Sequence, residues 1–296
     1  MINSIQLSPA QTPKSCVLAL HCSLGSGRQW TRLAEALAGR YRLCAPDLVR
    51  HDKHRDVFSP PATLAEEVEL LSEAFEATSG PIHLVGHSYG GAIAFKIATA
   101  SPLASRIRSL TLIEPVLPTL LRDNEVDRRL HDRFETFAVS LYADLWNGQF
   151  MEAIDKFIAF WNGSGPAEQP SAEARLRMIE QAEELAFNFH AVLAEDNIAT
   201  AAAAIRVPTL LMSGGLSPYV TQRIVTRLAA LIAGSQVTHL PKAGHMLPQT
   251  HRSTVTAEII RHITRADDLA EISALPRSGP HGTGTALVVS CPIADG

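Results

Sequence analysis

The segment Gly86-His87-Ser88-Tyr89-Gly90 places one serine between two glycines. It follows the apolar run Ile82-His83-Leu84-Val85 and precedes a helix-like stretch that reaches Ala100. A strand that turns sharply into a helix forces its turn residue into strained backbone angles. Side chains two positions away on either side would then collide with the neighbouring strand and helix, and glycine removes that collision because it has no Cβ. The residue at the tip projects clear of the fold. It sits at a helix N-terminus, where free N–H groups and the helix dipole favour developing negative charge. Gly-x-Ser-x-Gly in this setting suits an exposed nucleophile. The same five residues also occur as a glycine-rich turn with an incidental serine; the flanking strand and helix favour the chemical reading.

A serine hydroxyl is a weak nucleophile and needs a base. His245, in Pro241-Lys242-Ala243-Gly244-His245-Met246, follows the last strand-like run and is the candidate. The other histidines read as structural or solvated. His51 and His54 stand three apart in a charged stretch without a convincing third ligand, so no metal is expected. The four cysteines, Cys16, Cys22, Cys44 and Cys291, include no CxxC pair. They read as free or buried thiols, which fits a reducing cytoplasm. Cys22 reads as a small buried filler.

Short apolar runs at 16–21, 41–45, 82–86, 109–114, 209–213 and 236–240 are the expected strands. Helical spacing marks 29–38, the stretch from a Thr63-Leu64-Ala65-Glu66 capping box to Phe75, and 88–100, 219–233 and 253–265. Strands alternating with helices mean a mainly parallel sheet covered on both faces. From about 118 to 204 the pattern is helical throughout and reads as an insertion. Ligands of such sheets bind beyond the carboxyl ends of the strands. The residues of interest are therefore His21 to Gly25, Asp47, Ser88, Glu114, Ser213 to Ser217 and His245.

The chain has 296 residues, 46% apolar and 19% charged, with a formal net charge of −4. That is an ordinary globular composition without the basic face that nucleic acid requires. No apolar run approaches the ~18 residues that span a bilayer, and the first sixteen residues do not read as a signal peptide. The expected partner is a small-molecule substrate, with no nucleic acid and no membrane; the oligomeric state stays open. Residues 266–296, rich in small residues, Pro and Gly, read as a loosely ordered tail.

On these motifs the chain resembles the α/β-hydrolase superfamily over about residues 14–265. The resemblance rests on Gly86-His87-Ser88-Tyr89-Gly90-Gly91, Leu20-His21-Cys22-Ser23-Leu24-Gly25-Ser26-Gly27, Ala45-Pro46-Asp47-Leu48 and Ala243-Gly244-His245-Met246. It implies an α/β-hydrolase core at 1–117 and 205–265, a helical cap at 118–204, and the chain order nucleophile, acid, histidine. It also implies an oxyanion hole formed by the N–H groups of Ser23 and Tyr89, and no cofactor. Family members usually carry His-Gly where this chain has His21-Cys22, so a different bend of the loop is the expectation to test and Leu24 is the alternative donor. They usually carry an aspartate where this chain has Ser217. Glu114, at the preceding strand end, is the first replacement; Asp196 is the second, and a triad without an acid the third. Fewer residues than usual precede the first buried strand, with room for one strand at 2–7. The cap's aromatics, among them Phe134, Phe137, Trp146, Phe157, Phe160, Trp161 and Phe189, read as a packed inner face, part of it above Ser88. The implied activity is a serine hydrolase cleaving an acyl bond, first an ester or lactone, of a small, partly hydrophobic substrate. The alternatives are a C–C bond hydrolase or perhydrolase with the same triad, and a non-catalytic binder of small ligands.

Overall fold

The computed structural model describes residues 15–48, 63–71, 75, 80–164 and 169–274. Six strands form one sheet: β1 (Cys16–Leu20), β2 (Arg42–Cys44), β3 (Ile82–His87), β4 (Ile107–Ile113), β5 (Thr209–Gly214) and β6 (Gln236–Leu240). Their order is β2-β1-β3-β4-β5-β6 and every neighbouring pair is parallel. The central strands β1, β3 and β5 are buried along their whole length. That is why they read in sequence as unbroken apolar runs rather than as alternating ones.

Side chains alternate across the pleat, so each strand feeds two cores. Leu18 and Leu20 join the larger one, with Phe95 and Ile97 of α3 (Tyr89–Ala100) and Ile224 and Leu228 of α9 (Tyr219–Leu231). Val17 and Ala19 face the other, with Leu33 and Leu37 of α1 (Thr31–Leu37) and Ile259 and Ile263 of α11 (Arg252–Ala274). Helix α2 (Leu64–Leu70) begins at the expected capping box, in which Thr63 Oγ1 accepts from Glu66 N and Glu66 Oε2 accepts from Thr63 N, both at 3.2 Å. After β1 the chain moves outward to β2 and then returns to the other side of β1 as β3. The switch point, where a parallel sheet opens a crevice, thus lies between the ends of β1 and β3.

The insertion between β4 and β5 is helical, as read: α4 (Glu125–Trp146), α5 (Phe150–Asn162), α6 (Ala172–Glu180), α7 (Glu184–Ala194) and α8 (Ile198–Ala204). A short helix, α10 (Leu247–Thr250), follows the His245 loop. The inner face of the insertion is an aromatic cluster centred on Phe134, whose ring stacks on Phe189 at 5.4 Å. Phe137 and Phe160 stack at 4.0 Å. Trp146 departs from the expectation: it ends α4 with 65% of its surface exposed. Among the described residues, ion pairs tie the insertion to the core. The buried carboxylate of Asp127 accepts from Arg223 Nε and Nη2 at 2.6 and 3.0 Å, and Lys96 donates to Glu195 at 2.9 Å.

The C-terminal boundary needs correction. Helix α11 runs past Arg265 to Ala274, so residues 266–274 are helical rather than loose. Asp267 supplies the reason. It accepts from Tyr41 Oη at 2.9 Å and pairs with His83 Nε2 at 3.3 Å and Arg108 at 3.4 Å, which fastens this turn to the sheet. Residues 275–296, the strand read at 2–7, and His51 and His54 lie outside the described residues.

Three buried histidines make the fold acid-sensitive. Burial holds His21 and His87 below the ordinary imidazole range and pushes His262, on α11, down to about 4. The unfolded chain takes up these protons near pH ~6.5, whereas the folded chain resists them. Stability is therefore full above that pH and falls as the pH drops toward His262's folded value. Thermal melts from about pH 7.5 to about pH 4.5 should show a steadily falling Tm, with a shallower decline in His262→Gln; a flat wild-type profile would contradict this.

Candidate active site

Ser88 has φ 57° and ψ −119°, the strained turn that the sequence implied. The two glycines act as expected, each against a different neighbour. A Cβ on Gly86 would lie 2.3 Å from Gly90 O, inside the turn and helix. A Cβ on Gly90 would lie 2.4 Å from His21 O, against the end of β1. The turn is fixed from the adjacent strand as well: Ser88 N donates to Ile113 O at 2.9 Å and Val116 N to Ser88 O at 3.2 Å.

Ser88 Oγ lies 2.9 Å from His245 Nε2, and His245 Nδ1 lies 2.6 Å from Glu114 Oε2. Serine, histidine and glutamate are 4%, 3% and 0% exposed, so the chain of hydrogen bonds runs without competing water. Glu114 ends β4 at φ 43°, a region that non-glycine residues rarely enter. Its carboxylate reaches sideways to the end of β5. Gly214 N donates to Oε1 at 2.7 Å and Thr221 Oγ1 to Oε2 at 3.3 Å. The other acids go elsewhere. Asp196 is exposed and accepts from Arg122 at 2.8 Å, and Asp47 accepts from Gly27 N at 2.8 Å, bracing the loop after β1. Ser217 is buried in the same region, and its hydroxyl has no hydrogen-bond partner among the described residues. The arrangement can pass a proton from the hydroxyl to the imidazole while Glu114 fixes the tautomer with the proton on Nδ1.

The sequence profile of the alpha/beta hydrolase family matches residues 17–259. The chain belongs to that family. Among characterised relatives, Lipase LipV of Mycobacterium tuberculosis is 35% identical over 102 residues, which are 34% of this chain. The chain spans only 37% of that relative's length. Among solved structures, MenH from S. aureus superposes with a TM-score of 0.67 at 19% identity, covering 87% of this chain and 96% of that one. The esterase EaEST from Exiguobacterium antarcticum superposes with a TM-score of 0.65 at 16% identity, covering 85% and 92%. At those identities the two structures speak for the fold.

In this member of the family the loop after β1 turns at Cys22–Gly25, with Gly25 N donating to Cys22 O at 3.1 Å and Leu24 at φ 55°. Gly90 N donates to His21 O at 3.1 Å, which holds the loop against the start of α3. His21 Nε2 accepts from Leu48 N at 2.8 Å, so its proton is on Nδ1, which donates to Cys22 O at 2.7 Å. Cys22 takes the place of the usual glycine without entering the chemistry. Burial pushes its thiol up to about 12, so it stays protonated and inert.

Several supporting residues were invisible in the sequence. The Trp161 indole lies flat on the His245 ring, centroids 4.2 Å apart and planes at 20°. Such a stack covers one face of the imidazole and fixes the plane of its ring. Just after this residue, Gly163 turns at φ 57° and Ser164 N donates to Leu216 O at 3.0 Å, anchoring the end of α5 beside the site. Neutral His87 donates from Nε2 to His245 O at 2.9 Å. Gln29 Oε1 lies 3.4 Å from both His87 Nδ1 and Cys22 N. The tryptophan was legible as an aromatic at helical spacing, but nothing in the chain pairs it with His245. His131, Asp132 and Glu135 on α4 are close enough to share a metal ion, but they belong to the cap rather than to this site.

Glu114→Gln retains size but offers an N–H where Nδ1 needs an acceptor. Reaction of Ser88 with a fluorophosphonate should slow by on the order of 10⁴ without loss of folding, as timed by intact mass. Unchanged labelling kinetics would remove Glu114 from the triad.

Proposed function

We propose that this chain is a serine hydrolase cleaving an acyl bond, first a carboxylic ester or lactone, of a small, partly hydrophobic substrate. The observation that carries the reading is the unbroken line Ser88 Oγ, His245 and Glu114, buried beneath an aromatic cap. Ser88 Oγ attacks the carbonyl carbon as its proton moves to His245 Nε2. The N–H groups of Ser23 and Tyr89 receive the oxyanion, and preorganised donors of this kind contribute about 3 kcal/mol each. His245 then protonates the leaving oxygen as the acyl C–O bond breaks. Water gives a proton to the same nitrogen, attacks the acyl-enzyme and releases the acid, and Ser88 recovers its proton. Glu114 holds the imidazole through Nδ1 throughout the cycle. No metal or cofactor enters this scheme.

The lipase among the relatives and the esterase among the structural neighbours are compatible with ester cleavage. The aromatic cluster of Phe134, Phe137, Phe157, Phe160, Trp161 and Phe189 supports an apolar substrate part. The free thiols Cys16, Cys22 and Cys44 support a reducing compartment, the cytoplasm. Among the described residues no helix is long and apolar enough to cross a membrane.

Intact-mass labelling with a fluorophosphonate should give one adduct on the wild type and none on Ser88→Ala. Turnover of a short-chain nitrophenyl ester should fall by on the order of 10⁶ in the same variant. An adduct or full turnover that survives in Ser88→Ala would overturn the mechanism. A diketone panel separates C–C cleavage from ester cleavage by the same triad.

A further inference from the structure

Trp161, near the end of α5, covers the His245 imidazole at a centroid distance of 4.2 Å. The indole is 7% exposed and meets the rings of Phe134, Phe157 and Phe160 edge-on, at centroid distances of 6.4, 6.0 and 4.9 Å. The backbone just beyond it is seated as tightly. A Cβ on Gly163 would lie 2.4 Å from Leu216 O, and Ser164 N donates to the same oxygen at 3.0 Å. The ring is thus fixed by packing within the cap and by the contact of the following residues with the loop after β5.

No polar contact accounts for a tryptophan here. Its Nε1 is buried and has no hydrogen-bond partner among the described residues. An N–H buried without a partner costs stability, and phenylalanine, which fills the neighbouring positions of the cluster, would avoid that cost. What an indole supplies and a phenyl ring does not is the area of a second fused ring over the imidazole. The residue acts through its shape.

The chemistry says what that shape meets. His245 Nε2 must come within hydrogen-bond reach of the leaving oxygen to protonate it, so the alcohol part of an ester lies beside the imidazole. The oxyanion goes instead to the positions of Ser23 and Tyr89, where a small cleft opens between core and cap. Neither Ser88 nor His245 lines that cleft. Resting on the hydrolase reading, we infer that Trp161 is the wall of the leaving-group side and restricts the substrate to carboxylic esters of small primary alcohols, such as methyl or ethyl esters. A small alkoxy group needs little more than the edge of the imidazole. A ring or a branched chain attached there would have to displace the indole from its seat among the phenylalanines.

The test compares kcat/KM for methyl butyrate and cyclohexylmethyl butyrate, esters of two primary alcohols with one acyl group, followed by acid release at constant pH. The wild type should favour the methyl ester by on the order of 10². In Trp161→Ala the ratio should fall to about one, and in Trp161→Phe to an intermediate value, while the preference between methyl acetate and methyl butyrate stays within about twofold. A purely structural loss would slow both butyrates alike and leave their ratio unchanged. A wild-type ratio near one, or a ratio that survives both substitutions, with Ser88-dependent turnover, would overturn the wall and leave the hydrolase reading standing. So would an acyl preference that changes in place of the alcohol preference, or failure to cleave either butyrate while Ser88 still takes up a fluorophosphonate. Neither ester cleaved, with Ser88 inert to the fluorophosphonate, would overturn the hydrolase reading, and the wall with it. If Trp161→Ala does not fold, the wild-type ratio and Trp161→Phe still decide.

Discussion

The contact on which the site depends is the 2.6 Å hydrogen bond between Glu114 and His245, made across residues 131 apart in sequence. An imidazole can serve a hydroxyl only if its far nitrogen is held in one tautomer and one orientation. Here the holding group comes from the strand beside the nucleophile strand, not from the loop after β5. The longer glutamate side chain spans the gap, and Gly214 N and Thr221 Oγ1 receive its remaining lone pairs. The backbone at Glu114 is left-handed, a strained state held by the hydrogen bonds around its side chain and by Glu114 N donating to Met212 O. An aspartate at 217 would bring a second carboxylate into the same buried region, where two like charges resist ionising together. A serine there is consistent with Glu114 already filling the role.

The strands exist to bring three chain ends to one crevice. The elbow after β3 and the loop after β1 meet at the switch point, and the end of β4 lies alongside. The approach is close enough that the glycines are obligatory. Gly86 makes room for its own turn, and Gly90 makes room for the carbonyls at the end of β1. The loop after β1 is held by a further set of bonds through His21, Asp47 and Gly90. Neutral His21 and His87 belong to this scaffold, since each uses its ring to pin backbone rather than to move protons.

The cap does more than cover. Its aromatic cluster makes a dry roof, and Trp161 extends that roof onto the imidazole itself. The Asp127–Arg223 and Lys96–Glu195 pairs hold both ends of the insertion to core helices, while the end of α5 is hooked to the loop at Leu216. A site this enclosed excludes water from every charge it must stabilise, which strengthens those interactions.

The sequence by itself determined whatever depends on local geometry. Gly-x-Ser-x-Gly after an apolar strand encodes the turn, because the steric demand lies within five residues. Unbroken apolar runs encode buried parallel strands, the capping box encodes a helix start, and helical periodicity from 118 to 204 encodes the cap. His245 was legible from its place after the last strand. Tertiary structure alone decided what depends on which chain ends become neighbours. It set Glu114 within hydrogen-bond reach of His245 and left Asp196 paired with Arg122 at the surface. It laid Trp161 on His245 and turned Trp146 outward, although the two look alike in a helical pattern. It carried the last helix to Ala274 because Asp267 meets Tyr41, 226 residues away. Periodicity and propensity report a residue's own turn or strand. They carry no record of partners that only the packing of sheet, cap and terminal helix brings within a few ångströms.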